Sequence, residues 1–152
     1  MQRIGLISDT HGLLRPEAVE FLRGCDRIVH AGDICDASLL DALALIAPVV
    51  AVRGNNDRGA WAERIDVTTT LRVDDVTLQA IHDVADLRVP LGDDVSIVIH
   101  GHSHKPTVVE RNGVRYVNPG SAGPRRFKLP ISIGDVRIAG SRADVRLVTL
   151  IA

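Results

Sequence analysis

Short apolar runs, each broken by Gly, Pro, Asp or Asn, dominate the chain. Ile4 to Ser8, Arg27 to Val29 and Val49 to Val52 read as buried strands. Two helical stretches lie between them. The first opens with Pro16, takes its apolar face from Ala18, Val19 and Leu22, and ends at Gly24. The second runs from Leu39 to Ile46 behind the caps offered by Asp36-Ala37-Ser38, and Pro48 closes it. Trp61 to Asp66 is expected to be loop or a short turn. Thr68 to Val73 and Val76 to Ile81 flank Asp74-Asp75, a hairpin signature. Residues 83–94, with Pro90 and Gly92, are expected to be irregular, and Val95 to Ile99 is a further buried strand. Thr107 to Arg111, Asn112-Gly113 and Val114 to Val117 form a second hairpin. Leu129 to Val136 and Ala143 to Ile151 complete the strands. The first half is β-α-β-α-β and the second mostly antiparallel β. No repeat or linker interrupts this α/β pattern, so residues 1–152 are expected to be one domain.

The polar residues that end the apolar runs carry the candidate chemistry. Ile4 to Ser8 is followed by Asp9-Thr10-His11, and the second strand by His30-Ala31-Gly32-Asp33. Arg53-Gly54-Asn55-Asn56-Asp57 follows the third, and His82-Asp83 follows the hairpin. Gly101-His102-Ser103-His104 follows Ile99-His100. Strands lying side by side and parallel would open all five loops on one edge, where α/β folds bind ligands. In extended backbone, residues i and i+2 point to the same side, so Asp9 with His11, and His102 with His104, can reach one place. Each loop also has a plain structural reading. Asp9 and Asp33 can be helix caps or turn residues, and Gly54-Asn55 can be a turn. Asp36 to Ser38 offer better caps for the second helix, which leaves Asp33 for other work.

Composition narrows the classes. Apolar residues make up 45% of the chain, enough for a core. The formal charge of -1 gives no strong nucleic-acid signal. Cys25 and Cys35 lack C-x-x-C spacing and read as small core residues in a reducing compartment. No apolar run approaches the ~18 residues of a membrane span and no signal segment is visible, so a cytoplasmic protein is expected.

The ordered set D-x-H (Asp9, His11), G-D (Gly32, Asp33), G-N-x-D (Gly54 to Asp57), His82 and G-H-S-H (Gly101 to His104) resembles the calcineurin-like metallophosphoesterases. Asn118-Pro119-Gly120-Ser121 and Pro124-Arg125 resemble the small bacterial and archaeal phosphodiesterase branch. The resemblance covers nearly the whole chain. It implies a four-layer α/β/β/α sandwich holding two divalent ions. Asp9, His11, Asp33 and His104 match the first metal site, and Asp33, Asn55, His82 and His102 the second, with Asp33 bridging. It further implies catalytic roles for Asp33, Asn55, Asn56 and His82, and substrate binding by Asn56 and Arg125.

The implied reaction is phosphodiester hydrolysis by a metal-bridging hydroxide, with ions about 3.5–4 Å apart. The mixed His, Asp and Asn shell suits Mn best, with Ni, Fe, Co or Zn as alternatives. Asp83 or a backbone carbonyl is a candidate to orient a ligand histidine. Arg125 and Arg126 can meet a substrate phosphate or be solvated loop, and His30 and His100 read as buried, hydrogen-bonded histidines. Many relatives have histidine where Asn56 stands, and a longer segment where residues 83–94 stand. The site is therefore expected to be open, or closed by a second copy in a homo-oligomer. The alternatives to a phosphodiesterase acting on a small substrate are a phosphomonoesterase and a non-catalytic scaffold like the related retromer subunit.

Overall fold

Residues 1–152 are all described by the computed structural model. Strands β1 (Gln2–Ile7), β2 (Arg27–His30) and β3 (Val49–Ala51) are mutually parallel. They form one sheet with β9 (Ile131–Ala139) and β10 (Arg142–Ile151), in the order β10-β9-β1-β2-β3. A second sheet has the order β4-β5-β6-β8-β7. It contains the hairpin β4 (Thr68–Val73) and β5 (Val76–Ile81), then β6 (Val95–Ile99) and the hairpin β7 (Thr107–Arg111) and β8 (Val114–Asn118). Strands β5, β6 and β8 are parallel, and the antiparallel strands β4 and β7 are its edges.

The two sheets are those of the four-layer sandwich that the resemblance implied, so the loop-bearing strands do not all lie side by side in one sheet. They are divided between two sheets packed face to face, because each sheet has apolar residues on both faces. Ile4, Leu6 and Val29 meet Leu78, Ile97, Ile99 and Val117 in the central core. The other face of the first sheet, with Ile7, Ile28 and Ile133, packs on Ala18 and Leu22 of α1 (Pro16–Leu22) and Leu39 and Leu43 of α2 (Ala37–Ala44). The outer face of the second sheet sets Ile81, Val95 and Val98 against Leu87 and Leu91. The fourth layer of the sandwich is therefore thin: one 3-10 turn, Val84–Asp86, and the chain beyond it. Truncating a core residue such as Ile97 to Ala is expected to cost about 2–5 kcal/mol.

Local departures from expectation have local causes. Helix α2 begins at Ala37 because the Asp36 carboxylate accepts the Ser38 N–H. The segment expected as loop after Trp61 begins with a short helix, α3 (Ala60–Glu63). Trp61 and Ile65, four residues apart, both pack on the helix-side core. Pro130 delays β9 to Ile131, and Gly140, at φ 59°, makes the turn into β10. Cys25 is buried, but Cys35 is exposed, so only one of the two cysteines is a core residue. No helix is long and apolar enough to cross a membrane.

Candidate metal centre

The exits of β1, β2, β3, β5 and β6 meet at one end of the two-sheet sandwich. The backbone there is not extended, contrary to the alternation argument. Asp9, His11, Asp33, His102 and His104 all have positive φ, from 46° to 74°. Non-glycine residues rarely adopt this region, and clusters of them mark functional sites. Left-handed turns, rather than strand alternation, aim these side chains. Neighbouring glycines allow the loops to close. A Cβ at Gly54 would lie 2.2 Å from Asp33 Oδ1, and one at Gly101 would lie 2.1 Å from Ser8 Oγ.

Two groups of side chains result. Asp9, His11 and His104 form one; Asp9, Asp33 and His82 form the other, with ligand atoms in each within 4.8 Å of one another. His11 Nε2 and His104 Nε2 face each other at 3.3 Å. Asp9 Oδ1 is 3.4 Å from His104 Nε2 and 3.9 Å from both His11 Nε2 and His82 Nε2. Asp33 Oδ2 lies 3.3 Å from His82 Nε2 and 3.7 Å from His11 Nε2, so its carboxylate also spans the groups. Asn55 and His102 stand at the open side, where Asn55 Oδ1 is 3.2 Å from His102 Nδ1. The other His102 nitrogen faces Asp83 Oδ2 at 3.7 Å. The expected ligand residues are thus brought together, Asn55 and His102 less tightly than the rest.

These residues fit divalent metal. Asp9 Oδ1 and His82 Nε2 are buried without a hydrogen-bond partner, an unfavourable state for polar atoms that a cation relieves. The remaining atoms are already engaged. Asp9 Oδ2 accepts from Ser8 Oγ–H (2.7 Å) and His102 N–H (3.1 Å). His82 Nδ1–H donates to Ala31 O at 2.7 Å, which leaves Nε2 as the ligand atom. Burial disfavours ionisation of Asp33, yet the adjacent His82 ring and the two hydrogen bonds from Asn56 outweigh it and hold the carboxyl well below its usual range. Asp9 is also lowered, against burial, by His104 and His82. Burial opposes the charged form of His82 as well, but Asp33 and Asp9 raise its pKa. The aspartates are therefore ready-made anions.

Several supporting residues were not evident from the sequence. Asp57, quoted in the G-N-x-D block without a role, accepts four backbone N–H groups: those of Asp33, Ile34, Cys35 and Gly54, at 2.8–3.0 Å. It ties the β2 and β3 loops together. Asn118 donates to Gly101 O and Ser103 Oγ, and Ser121 Oγ–H donates to Asp9 O. His30 is buried as expected. Gly32 N–H donates to its Nδ1, so Nε2–H donates to Thr10 Oγ1 (2.9 Å). Burial pushes its pKa down to about 4. His100 is not a member of either group, and its Nδ1 is buried without a partner.

Two expected substrate-binding residues have other partners. The Asn56 amide donates to Asp33 Oδ2, and its backbone N–H to Asp33 Oδ1, so both groups are turned toward that carboxylate. Arg125 donates to Leu129 O (3.1 Å) and Ala152 O (2.8 Å), which makes it a loop anchor. Arg126 is the neighbouring cation without a side-chain partner, beside His11 and His104. Cys35 Sγ is 3.6 Å from His11 Nδ1, and burial, followed by the Asp57, Asp33 and Asp9 charges, pushes its thiol up to about 11.

A two-sheet α/β sandwich with clustered Asp, His and Asn at one end is the arrangement of a candidate metal-binding α/β domain. Residues 2–140 match the model of the calcineurin-like phosphoesterase superfamily domain, and the chain belongs to that family, a family of hydrolases. A probable metallophosphoesterase of Methanothermobacter thermautotrophicus is 34% identical, with 95% of this chain and 91% of that protein covered. A phosphodiesterase of Methanocaldococcus jannaschii is 27% identical, with 78% of this chain and 82% of that protein covered. Among solved structures, an archaeal phosphodiesterase superposes with TM-score 0.77 at 23% identity, over 97% of this chain and all (100%) of that one. Vps29 of Entamoeba histolytica in complex with zinc superposes with TM-score 0.74 at 22% identity, over 98% and 99% of the two chains. These structural likenesses establish the fold.

Proposed function

We propose that this phosphoesterase is a phosphodiesterase that works with two divalent ions, Mn being the best match to its ligands. Asp9, His11, Asp33 and His104 would hold one ion, and Asp33, Asn55, His82 and His102 the other. The observation that carries this reading is the Asp33 carboxylate, reaching toward His82 on one side and His11 on the other beside the unpartnered Asp9 Oδ1. Two such ions, when bound, polarise phosphoryl oxygens and make water a usable nucleophile near neutral pH.

The chain's own residues fix the geometry. Asp57 locks the two loops that bear Asp33 and Asn55. Asn56 sets the plane of the Asp33 carboxylate. The Ala31 carbonyl sets the His82 ring, and Asp83 faces the outer nitrogen of His102. The site rim favours a diester over a monoester on charge. Asp83 and Asp86 line the depression beside Asn55 and His102, with Arg53 the single cation there. A monoanionic diester meets less repulsion from that rim than a dianionic monoester.

Turnover of bis(p-nitrophenyl) phosphate and p-nitrophenyl phosphate, measured in Mn, Ni, Co, Fe and Zn, tests the reading. The diester is expected to be the faster substrate. A faster monoester would favour a phosphomonoesterase. Turnover of neither, in any metal, would favour the scaffold reading that likeness to Vps29 leaves open.

A further inference from the structure

The loop beyond the Asn118–Ser121 turn presents two side chains that the fold does not use. Phe127 is 87% exposed and holds φ at 53°, a strained region for a bulky residue. An exposed phenyl ring contributes nothing to the core. With Pro124, Arg125 and Arg126 it borders a depression of about 480 Å³ whose inner wall is His11 and His104.

The loop is held rather than loose. Arg125 bonds to the Leu129 and Ala152 carbonyls, Arg15 Nε–H donates to Gly123 O at 3.2 Å, and Gly123 N–H donates to Ser121 Oγ at 3.3 Å. Anchoring on both sides presents Arg126 and Phe127 in a preorganised position. The opposite flank of the centre, between Arg53, Asp83 and Asp86, continues past Val67 and Ile81 into a further depression, so both flanks have room and they differ in lining. Only the Phe127 side pairs an exposed aromatic ring with a guanidinium beside the centre, whereas Asp83 and Asp86 line the other.

We infer that Arg126 and Phe127 form a subsite for a flat aromatic ester group, and that a nucleoside is the substrate class it fits. The phenyl face stacks on the base, and the guanidinium adds a cation–π contact or meets a phosphate oxygen. This rests on the reading of the centre as diester-hydrolysing.

Two substrates with one leaving group separate the two ideas: the p-nitrophenyl ester of thymidine 5′-monophosphate, and methyl p-nitrophenyl phosphate. The Mn-loaded wild type is expected to prefer the thymidine diester in kcat/KM. Phe127→Ala should lower that preference about tenfold, mainly through KM, given the usual strength of base–aromatic stacking. Phe127→Trp should retain it, and Arg126→Ala should lower it severalfold. Calorimetric titration with thymidine 5′-monophosphate should show the same order, with about tenfold weaker binding to Phe127→Ala. An unchanged substrate preference and unchanged nucleotide affinity in both alanine variants would overturn the subsite while leaving the hydrolytic reading intact. No turnover of either diester by the wild type would overturn both.

Discussion

Asn56 holds both carboxylate oxygens of Asp33, through its backbone N–H to Oδ1 and its side-chain amide to Oδ2, each at 2.9 Å. Asn56, expected to bind substrate, has both donors on the carboxylate proposed to bridge the two ions and so braces it. Removing the amide in Asn56→Ala keeps the backbone bond but frees the carboxylate plane. Metal affinity is expected to fall about 10–100-fold, as for other partners of metal ligands. Metal titration of the purified variant by calorimetry checks this, and wild-type affinity would rule the brace out.

Asp57 is the more severe case. Asp57→Ala leaves four backbone N–H groups from two loops without their acceptor. Buried donors left unpaired cost about 1–3 kcal/mol each, less where water enters. Denaturant unfolding should show a loss of about 3 kcal/mol or more, and metal content should fall with it. A variant of near-normal stability would show that the loops hold by themselves.

Metal removal should leave the fold intact. The central and helix-side clusters are built from Ile4, Leu6, Ile97, Ile99, Ile28 and Leu43, and none of these residues belongs to the metal centre. Chelated protein should therefore keep its far-ultraviolet circular dichroism while losing activity, unlike small domains that fold only around zinc. Global unfolding on chelation would contradict this.

The candidate residues were legible in two steps: the apolar runs pointed to the loops that follow them, and the ordered set of motifs, through its family resemblance, implied the ligand roles of Asp9, His11, Asp33, Asn55, His82, His102 and His104. The partition of the runs was not legible. Val29 and Ile97 look alike as buried strand residues, yet they sit in different sheets and meet only across the core. Backbone shape was hidden too. Nothing in D-x-H distinguishes an extended Asp9 from one at φ 54°. Asn56 and Asp57 act across more than twenty positions, on Asp33 to Cys35, and such long-range hydrogen bonds leave no local trace. The exposure of Cys35 and Phe127 is likewise a product of tertiary packing.

Acid should destabilise the protein partly through His30. Its folded pKa of about 4 lies below the ordinary 6.5, so folding favours the neutral ring. The stabilisation is complete above pH 6.5 and is lost as pH falls from there through about 4. The full shift corresponds to about 3 kcal/mol. In His30→Gln the side chain can still donate to Thr10 and accept from Gly32, but it does not titrate. The stability difference between wild type and variant, measured on metal-free protein by urea unfolding, should shrink in favour of the variant across that window. Parallel pH profiles would show that His30 ionises without cost.

The rate should depend steeply on the leaving group. An amide is not a proton donor to an alkoxide, and the Asn56 amide is in any case bonded to Asp33. His30, an imidazole outside the proposed ligand set, is fully buried and donates to Thr10 instead. With no evident acid, the departing oxygen must leave with its charge or take a proton from water. Aryl oxides tolerate that and alkoxides do not. A general acid typically contributes ~10²–10⁴-fold, and that factor should be missing for alkyl esters. Turnover across a series of substituted aryl and alkyl phosphodiesters gives the slope against leaving-group pKa. Asn56→His tests the same point from the other side. An imidazole there should flatten the slope by helping poor leaving groups most, while metal affinity falls because Asp33 loses its amide partner. A flat slope in the wild type would mean that another group already protonates the leaving oxygen. His102, half-exposed at the open side of the centre and facing Asp83, would be the first residue to substitute.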